Sequence, residues 1–284
     1  MKKNSNISDI IKKYSTLLNN EGIRNSRLDV ILFLESITGL DRTKILSNTS
    51  YRLNKHELKL FGRMINRRLK KYSVAEIVQH KEFYGREFFV NKNVLIPRPE
   101  SEVIIETLLD ICNNDPSLIN SPQIKILDVG CGSGILGITA KLELKNVYVE
   151  LIDIDKKAIK VAKVNDVLNT TCLSIYKSDL LKKVNGEFDI MLVNLPYVAD
   201  KHKPDPSILR EPKTAIFGGH DGLEIYNNFF IELSKLQKKP LYLILEALSF
   251  QHNKLNYLAK KVGYKTVKTR GLTLLYKLNE TVDN

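Results

Sequence analysis

Ile126-Leu-Asp128-Val-Gly130-Cys-Gly132-Ser-Gly134 is an apolar strand that runs into three alternate glycines and then directly into the helical pattern Ile135–Leu144. Glycine permits the positive φ angles of a tight turn and lets a ligand approach bare backbone. The helix behind the turn offers unpaired amide donors. Working outward, the chain alternates. Downstream come strand Val147–Ile152, helix Lys156–Leu168, strand Leu173–Tyr176 and strand Asp189–Val193. A helix near Leu223–Gln237, strand Pro240–Glu246, helix Phe250–Val262 and two late strands follow. Upstream, helix Glu100–Cys112 leads through a loop holding Pro116 and Pro122 to strand Lys125–Val129. Strands alternating with helices predict an α/β fold with a doubly wound, mostly parallel sheet.

The region before the Pro-Arg-Pro at 97–99 reads differently. Ile7, Ile10, Ile11, Tyr14, Leu17 and Leu18 follow helical spacing, Leu28 to Leu40 form a second apolar run ending at Gly39, and a third helix spans about Asn54 to Leu69. From Glu76 to Val94, apolar residues around Gly85 read as a hairpin. The expected organisation is a small helical domain at 1–72, a β-hairpin linker at 73–94 and a larger α/β domain at 95–284. The net charge is +12, and residues 1–90 hold 18 basic against 9 acidic residues, or +9. Arg63, Arg67, Arg68, Lys70 and Lys71 concentrate it. Such a patch suits nucleic acid or an acidic protein; it is equally a solvated helix face.

At 284 residues, 43% hydrophobic and 27% charged, the composition is that of a globular protein and excludes a disordered or collagen-like chain. No apolar run approaches the ~20 residues of a membrane span. The opening MKKNSNISDIIKKY has lysines but no apolar core or cleavage site of a secretory signal. Three cysteines without paired spacing and five histidines without HExxH predict neither a disulfide framework nor a metal site. A cytoplasmic location follows as an expectation.

Nineteen residues past Gly134, at the end of the next strand, stands Asp153, placed to accept hydrogen bonds from ribose hydroxyls. Two nucleoside cofactors meet this pattern. Gly132-Ser-Gly134-Ile-Leu-Gly137 formally matches the GxGxxG of dinucleotide sites. Asp128 before the glycines gives the DxGxGxG form, which resembles motif I of class I methyltransferases dependent on S-adenosyl-L-methionine (AdoMet). AdoMet has no pyrophosphate to cradle; it needs room for a methionine tail and a partner for its ammonium group.

A second motif bears on the class. Asn194-Leu195-Pro196-Tyr197 follows strand Phe188-Asp-Ile-Met-Leu-Val193, at the carboxyl end where such sheets place their chemistry. NLPY resembles the (Asn/Asp)-Pro-Pro-Tyr signature of methyltransferases that act on planar nitrogens. An amide or arylamine nitrogen delocalises its lone pair and is a poor nucleophile. Asn194 Oδ1 and the Leu195 carbonyl could accept its two N–H bonds and leave the lone pair aimed at a methyl group. Pro196 biases Leu195 toward an extended conformation, and Tyr197 would pack on the planar group. Orientation and electrostatics would then carry the gain, with no general base assigned. Asp189 is read as a residue at the start of its strand, and Cys131 as buried rather than nucleophilic.

Further segments resemble one family, the peptide-chain release factor glutamine N5-methyltransferases. Val94-Leu-Ile-Pro97-Arg98-Pro99-Glu100-Ser-Glu102 is similar to its IPRPETE segment, and Phe83-Tyr-Gly85-Arg-Glu-Phe88-Phe-Val90 to its hairpin. Ser178-Asp179-Leu180 resembles its adenine-proximal turn. Arg210-Glu211-Pro212 through Gly218-Gly219-His-Asp221-Gly222-Leu223-Glu-Ile-Tyr226 resembles its E-P-x-x-A-L-x-G-G-x-D-G-L-x-x-Y block. The resemblance covers essentially the whole chain. It implies a Rossmann-like sheet of seven strands, with the N-terminal helices recognising the substrate. It implies AdoMet as methyl donor and the glutamine of the Gly-Gly-Gln loop in class 1 release factors as acceptor, in translation termination. Asp128 and the turn Gly130, Cys131, Gly132, Ser133 and Gly134 would hold the methionine part. Asp153 would hold the ribose, and Asp179 with Leu180 the adenine. Asn194, Leu195, Pro196 and Tyr197 would hold the glutamine, with Asn194 also near AdoMet. Arg98 and Glu100 would shape the pocket or bridge the domains. A monomer acting without membrane or obligate nucleic acid is implied. Three departures stand out: Leu195 for the usual first proline, Leu245-Glu246-Ala247-Leu248 for L-E-I-G, and Thr269–Thr273 for D-L-A-G-R-D-R. NLPY also occurs in rRNA adenine dimethyltransferases, so adenine in rRNA or DNA is the alternative acceptor. A non-catalytic AdoMet-binding module is a third reading.

Overall fold

A computed structural model describes residues 6–48, 50–202 and 208–279. Residues 1–5 and 49 of the helical domain assigned above, and 203–207 and 280–284 of the α/β domain, lie outside the described residues. The chain divides into two compact units, one built from the residues up to His80 with 208–210, the other from the remainder.

The first unit holds helices α1 (Ile7–Asn20), α2 (Ser26–Thr38), α3 (Arg42–Ser47), α4 (Lys55–Leu69) and α5 (Val74–Val78). Local chemistry sets their ends. The Asn6 side chain accepts from Asp9 N at 2.9 Å, and Asn54 with Glu57 forms a reciprocal capping box on α4. Apolar stripes from α1, α2 and α4 bury Ile10, Leu18, Phe33, Leu34, Phe61 and Ile65. Two corrections to the sequence reading arise here. Val74–Val78 is helical rather than the start of a hairpin, because Ser73 caps it by accepting from Glu76 N at 3.1 Å. The basic cluster is also partly neutralised. Arg68 donates to buried Asp29 at 2.7 Å and to the Tyr72 carbonyl at 2.9 Å. Arg67 pairs with Glu76 and lies over the Tyr72 ring.

The second unit opens with a hairpin of β1 (His80–Phe83) and β2 (Arg86–Phe89). Its two-residue turn puts Tyr84 and Gly85 at φ 51° and 70°, matching the twist of the flanking strands. The main sheet uses β3 (Ile124–Val129), β4 (Val147–Asp153), β5 (Ser174–Lys177), β6 (Ile190–Val193), β7 (Tyr242–Glu246), β8 (Tyr264–Arg270) and β9 (Thr273–Leu278). Their order is β5-β4-β3-β6-β7-β9-β8. Pairs among β5, β4, β3, β6 and β7 are parallel, and β9 is antiparallel to β7 and β8. This is the mostly parallel, doubly wound sheet that the alternation predicted, with the seven strands that the resemblance implied.

Residues alternate across the strands and so feed two cores. Ile126, Leu151, Ile190, Leu192 and Ile244 face α6 (Glu102–Asn114), α8 (Ile135–Glu143) and α9 (Lys156–Leu168). Leu127, Val129, Met191, Val193 and Leu245 face α10 (Glu224–Leu233) and α11 (His252–Lys261). The short α7 (Pro116–Ile119) occupies what reads as a proline loop, capped by Asp115. β6 is buried along its whole length, hence its unbroken apolar sequence. Asp189 pins its start: its carboxylate accepts from Lys125 N and its own N–H donates to Lys125 O, both at 2.8 Å.

Asn165 of α9 ties hairpin to sheet. It is fully buried, accepts from Phe89 N at 2.7 Å, and donates to Phe89 O at 2.9 Å and to Ser133 O in the glycine turn at 2.8 Å. Asn165→Ala would take the side-chain partner from one buried and two part-buried backbone groups, at a cost of roughly 2–4 kcal/mol. A thermal melt should show the midpoint lowered by on the order of 5–10 °C; an unchanged midpoint would show that these bonds are not holding the hairpin.

Candidate active site

The site forms where the sheet order reverses. β3 pairs with β4 on one side and β6 on the other, so the loops leaving β3 and β6 part and open a crevice at the strands' carboxyl ends. The β3–β6 register matches Val129 with Val193. Gly130 and Asn194 are therefore the next residues on two adjacent strands. One cavity is lined by residues 128–133, 152–155, 178–180 and 194–196, with Pro97, Arg98 and Ser101 closing a side. It gathers the glycine turn, the acid after β4, the Ser-Asp-Leu turn and most of NLPY.

Gly130 and Gly134 sit at φ 73° and 83°, where a side chain would be strained. A Cβ on Gly130 would lie 2.8 Å from Leu195 Cδ2, while one on Gly132 would meet nothing within 4 Å. The turn thus presses against NLPY at one glycine and leaves open space at another. Gly134 lies behind the cavity wall and starts α8. Gly137 of the GxGxxG match packs α8 against Leu151.

Acidic groups dominate the cavity's cofactor end. Asp128 is buried; its Oδ2 accepts from Gly137 N at 2.9 Å, and its Oδ1 has no partner among the described residues. Burial pushes its carboxyl up to about 7, opposed by the Gly137 N–H and reinforced by the charge of Asp153. Asp153 accepts from Gly132 N at 2.9 Å and Asp155 N at 2.8 Å; burial raises its pKa too. Ser178 N donates to Asp153 O at 3.0 Å, which anchors the turn carrying Asp179 and Leu180. Asp179 pairs with Lys182 at the half-exposed rim. Cys131 is buried, and burial followed by the two nearby carboxylates drives its thiol pKa far up, so it is no nucleophile here.

The acceptor end is built on NLPY. Asn194 Nδ2 donates to Ser101 Oγ at 3.1 Å. The Leu195 N–H, which proline would lack, donates to the Tyr226 hydroxyl at 3.3 Å. That bond supplies the constraint expected to be lost with the proline ring. Tyr197 lies outside the cavity lining; its hydroxyl donates to Glu246 Oε1 at 3.0 Å, and burial drives its pKa up. The Gly218 and Gly222 loop backs the motif closely enough that a Cβ at either position would stand 2.4 Å from Pro196 O or 2.3 Å from Tyr197 O. Arg98 donates to buried Glu211 at 2.6 Å, which also accepts Ile96 N at 2.9 Å. Both residues of that pair belong to the second unit, and Arg98 lines the cavity. Glu100 is exposed and off the cavity. Leu248 replaces glycine at φ −66°, an ordinary backbone that needs none, so this departure leaves the loop unstrained.

Several lining residues escaped the sequence reading. Ser101 was a serine within a recognised segment, and Ile225 and Asn228 project from α10 one turn apart. Only the fold brings them to the cavity. Among the described residues no cluster of three His, Cys, Asp or Glu could hold a metal ion, and no helix is long and apolar enough to cross a membrane.

The donor and acceptor set fits AdoMet. An orphaned buried carboxylate oxygen suits an ammonium group, the space over Gly132 suits a ligand against bare backbone, and Asp153 suits ribose hydroxyls. Three acids around the cavity favour a cationic ligand over a pyrophosphate. Fold and site together define a methyltransferase of the class I type. The chain matches the family model described as Methyltransferase small domain over residues 107–211, and the helical unit matches the PrmC N-terminal domain over residues 9–78. The chain is 32% identical over 246 residues to the Release factor glutamine methyltransferase of Bacillus subtilis, covering 84% of each. It is 32% identical over 271 residues to that of Clostridium acetobutylicum, covering 92% of each. It spans about half, 53%, of the Bifunctional methyltransferase of Rickettsia typhi, at 32% identity. The catalytic domain of human Mettl16 shares the fold at TM-score 0.54 and 15% identity, over 83% of this chain and 85% of that one. The chain belongs to the release factor glutamine methyltransferase family.

Asp128 carries a cost that can be read out. Its folded pKa lies above the unfolded value, so it destabilises the protein progressively as pH rises from about 4 to about 7. Asp128→Asn should therefore raise the melting midpoint of the ligand-free protein at pH 8, with the gain vanishing near pH 4. Calorimetry should also show weaker AdoMet binding. A lower midpoint at pH 8 would contradict the assignment.

Proposed function

We propose that the protein transfers a methyl group from AdoMet to the side-chain amide nitrogen of the glutamine in the Gly-Gly-Gln motif of class 1 peptide-chain release factors, giving N5-methylglutamine. The observation that carries this reading is the placement of Asn194 in one cavity with the glycine turn, one residue beyond the paired Val129 and Val193. AdoMet, when bound, supplies a methyl group on a positively charged sulfur.

Asp128 and the turn from Gly130 to Gly134 hold the methionine part, Asp153 the ribose, and Asp179 with Leu180 the adenine. Asn194 Oδ1 and the Leu195 carbonyl accept the two N–H bonds of the glutamine amide. This orients its lone pair toward the methyl group and draws electron density onto the nitrogen. Pro196 and Tyr197 keep that backbone in place. No general base is assigned, and none is required: the nitrogen becomes acidic on methylation and releases its proton to water. Arg98, held by Glu211, lines the wall beside the acceptor. The helical unit contacts the release factor, and the enzyme acts as a monomer in the cytoplasm.

The test is labelled methyl transfer into a release factor, its Gln-substituted variant, and DNA with rRNA, followed by mass spectrometry. One added methyl on the Gly-Gly-Gln glutamine is expected, absent from the variant. Asn194→Ala should lower the rate by about 10²-fold or more. Label in adenine instead would refute the proposal in favour of a nucleic-acid substrate.

A further inference from the structure

The ladder between β6 and β7 ends at the pair Val193 and Leu245. The residues just beyond, Leu195 and Glu246, are still buried, so their backbone groups need other partners. One side chain supplies them. Tyr226, in the first turn of α10, is wholly buried, and its hydroxyl stands against three backbone groups. It accepts the Leu195 N–H at 3.3 Å. It reaches the Glu246 carbonyl at 2.5 Å and the Val193 carbonyl at 3.2 Å. Burial pushes its pKa far above the ordinary value, so the group is a neutral phenol.

A phenol has one hydrogen to give and lone pairs to receive with. The hydrogen faces the carbonyls that close β6 and β7, which leaves a lone pair for the Leu195 N–H. The motif is thereby tied to the end of β7 as well as to its own strand. Leu195 is also held from a second direction, since its Cδ2 would lie only 2.8 Å from a Cβ on Gly130. With its N–H bonded on one side and its side chain against the glycine turn on another, the peptide joining Asn194 to Leu195 has little room to rotate. The angle of the Leu195 carbonyl follows from that. A proline at 195 would offer no N–H and would fix φ by its ring; leucine has only the hydroxyl to do this.

We propose that Tyr226 is a positioning residue for methyl transfer: its hydroxyl, anchored at the end of β7, holds the Leu195 N–H and so sets the angle at which the Leu195 carbonyl meets the acceptor amide. This rests on the reading that this carbonyl accepts from the glutamine nitrogen.

The test is a cycle of Tyr226→Phe and Leu195→Pro, with full-length enzyme and intact release factor. Tyr226→Phe keeps the ring and strips the hydroxyl from all three backbone groups. Its melting midpoint should fall whichever residue stands at 195, because the two carbonyls lose their donor in either case. Activity separates positioning from support. With leucine at 195, kcat should fall about 10- to 100-fold, while AdoMet binding and KM for the release factor hold within about twofold. With proline at 195 there is no N–H to hold, and loss of the hydroxyl makes room for the ring carbon that takes its place. Tyr226→Phe should then not lower kcat. A role confined to supporting the fold would lower kcat alike in both backgrounds.

Unchanged kcat in Tyr226→Phe overturns the proposal, as does an equal loss in both backgrounds or a loss matched by lost AdoMet binding. Should one single variant fail to fold, the double variant is compared with the other and must be at least as fast. Should both fail, a folded double variant is itself the expected rescue. A slower double variant, or one that does not fold, overturns the proposal, because Tyr226 would then act through the two carbonyls alone. A wild-type enzyme that leaves the release factor unlabelled would instead sink the functional reading itself.

Discussion

The site depends on the parallel pairing of β3 with β6. Four matched positions, from Ile126 with Ile190 to Val129 with Val193, bring the two strands to their ends together. A slip of one residue would reverse which side chains face each core, burying the wrong set on both faces. The register is therefore held by the whole apolar sequence of both strands, with Asp189 bonded to Lys125 at the start. Its consequence is chemical. The glycine turn and Asn194 emerge side by side, and everything else at the cavity refines a distance that this pairing has already set.

Stability is given up at the same place. Asp128 and Asp153 are both buried with raised pKa values, and Glu246 is a third carboxylate taken out of water. Each has backbone or hydroxyl donors, yet Asp128 and Glu246 each retain an oxygen without a partner among the described residues. In a protein interior such groups are costly unless bonded. The two orphaned oxygens differ in use. That of Asp128 belongs to a residue on the cavity wall, where a cationic ligand can satisfy it. That of Glu246 belongs to a residue off the cavity lining.

Much of this was legible in the sequence because it is local. The glycine turn, the acid nineteen residues on, and an asparagine followed by Leu-Pro-Tyr at the end of an apolar strand each announce themselves within a few residues. The alternation of strand and helix is likewise a short-range pattern. What escaped has long-range partners. Asn165 is one polar residue in a helix until Phe89 and Ser133 are brought to it, across 76 and 32 positions. Glu246 reads as the polar end of a strand until Tyr197 arrives from 49 positions away. Pairing in the basic N-terminal third was hidden for the same reason: Arg68 counts toward a surface charge in the sequence but is paired with buried Asp29, 39 positions away. The helix at Val74–Val78 was a local miss, since Ser73 before Val-Ala-Glu is a legible cap that the apolar, aromatic-rich stretch beyond it outweighed.

The substitution of Leu195 for proline shows how such a motif can vary without losing its geometry. Proline restrains the chain through its ring and removes an N–H. Leucine restores that N–H inside a buried site, which would be costly if it stayed unpaired. The Tyr226 hydroxyl accepts it and passes its own hydrogen to the Glu246 carbonyl, while the leucine side chain fills the space over Gly130. The constraint has moved from a ring within the motif to a tyrosine on α10. Because both amino acids possess a backbone carbonyl at residue 195, the acceptor that the proposed function asks of this position is kept. What the motif keeps is a constrained backbone, and a tyrosine bonded to the carbonyl at the end of β7 can supply that constraint as a ring does.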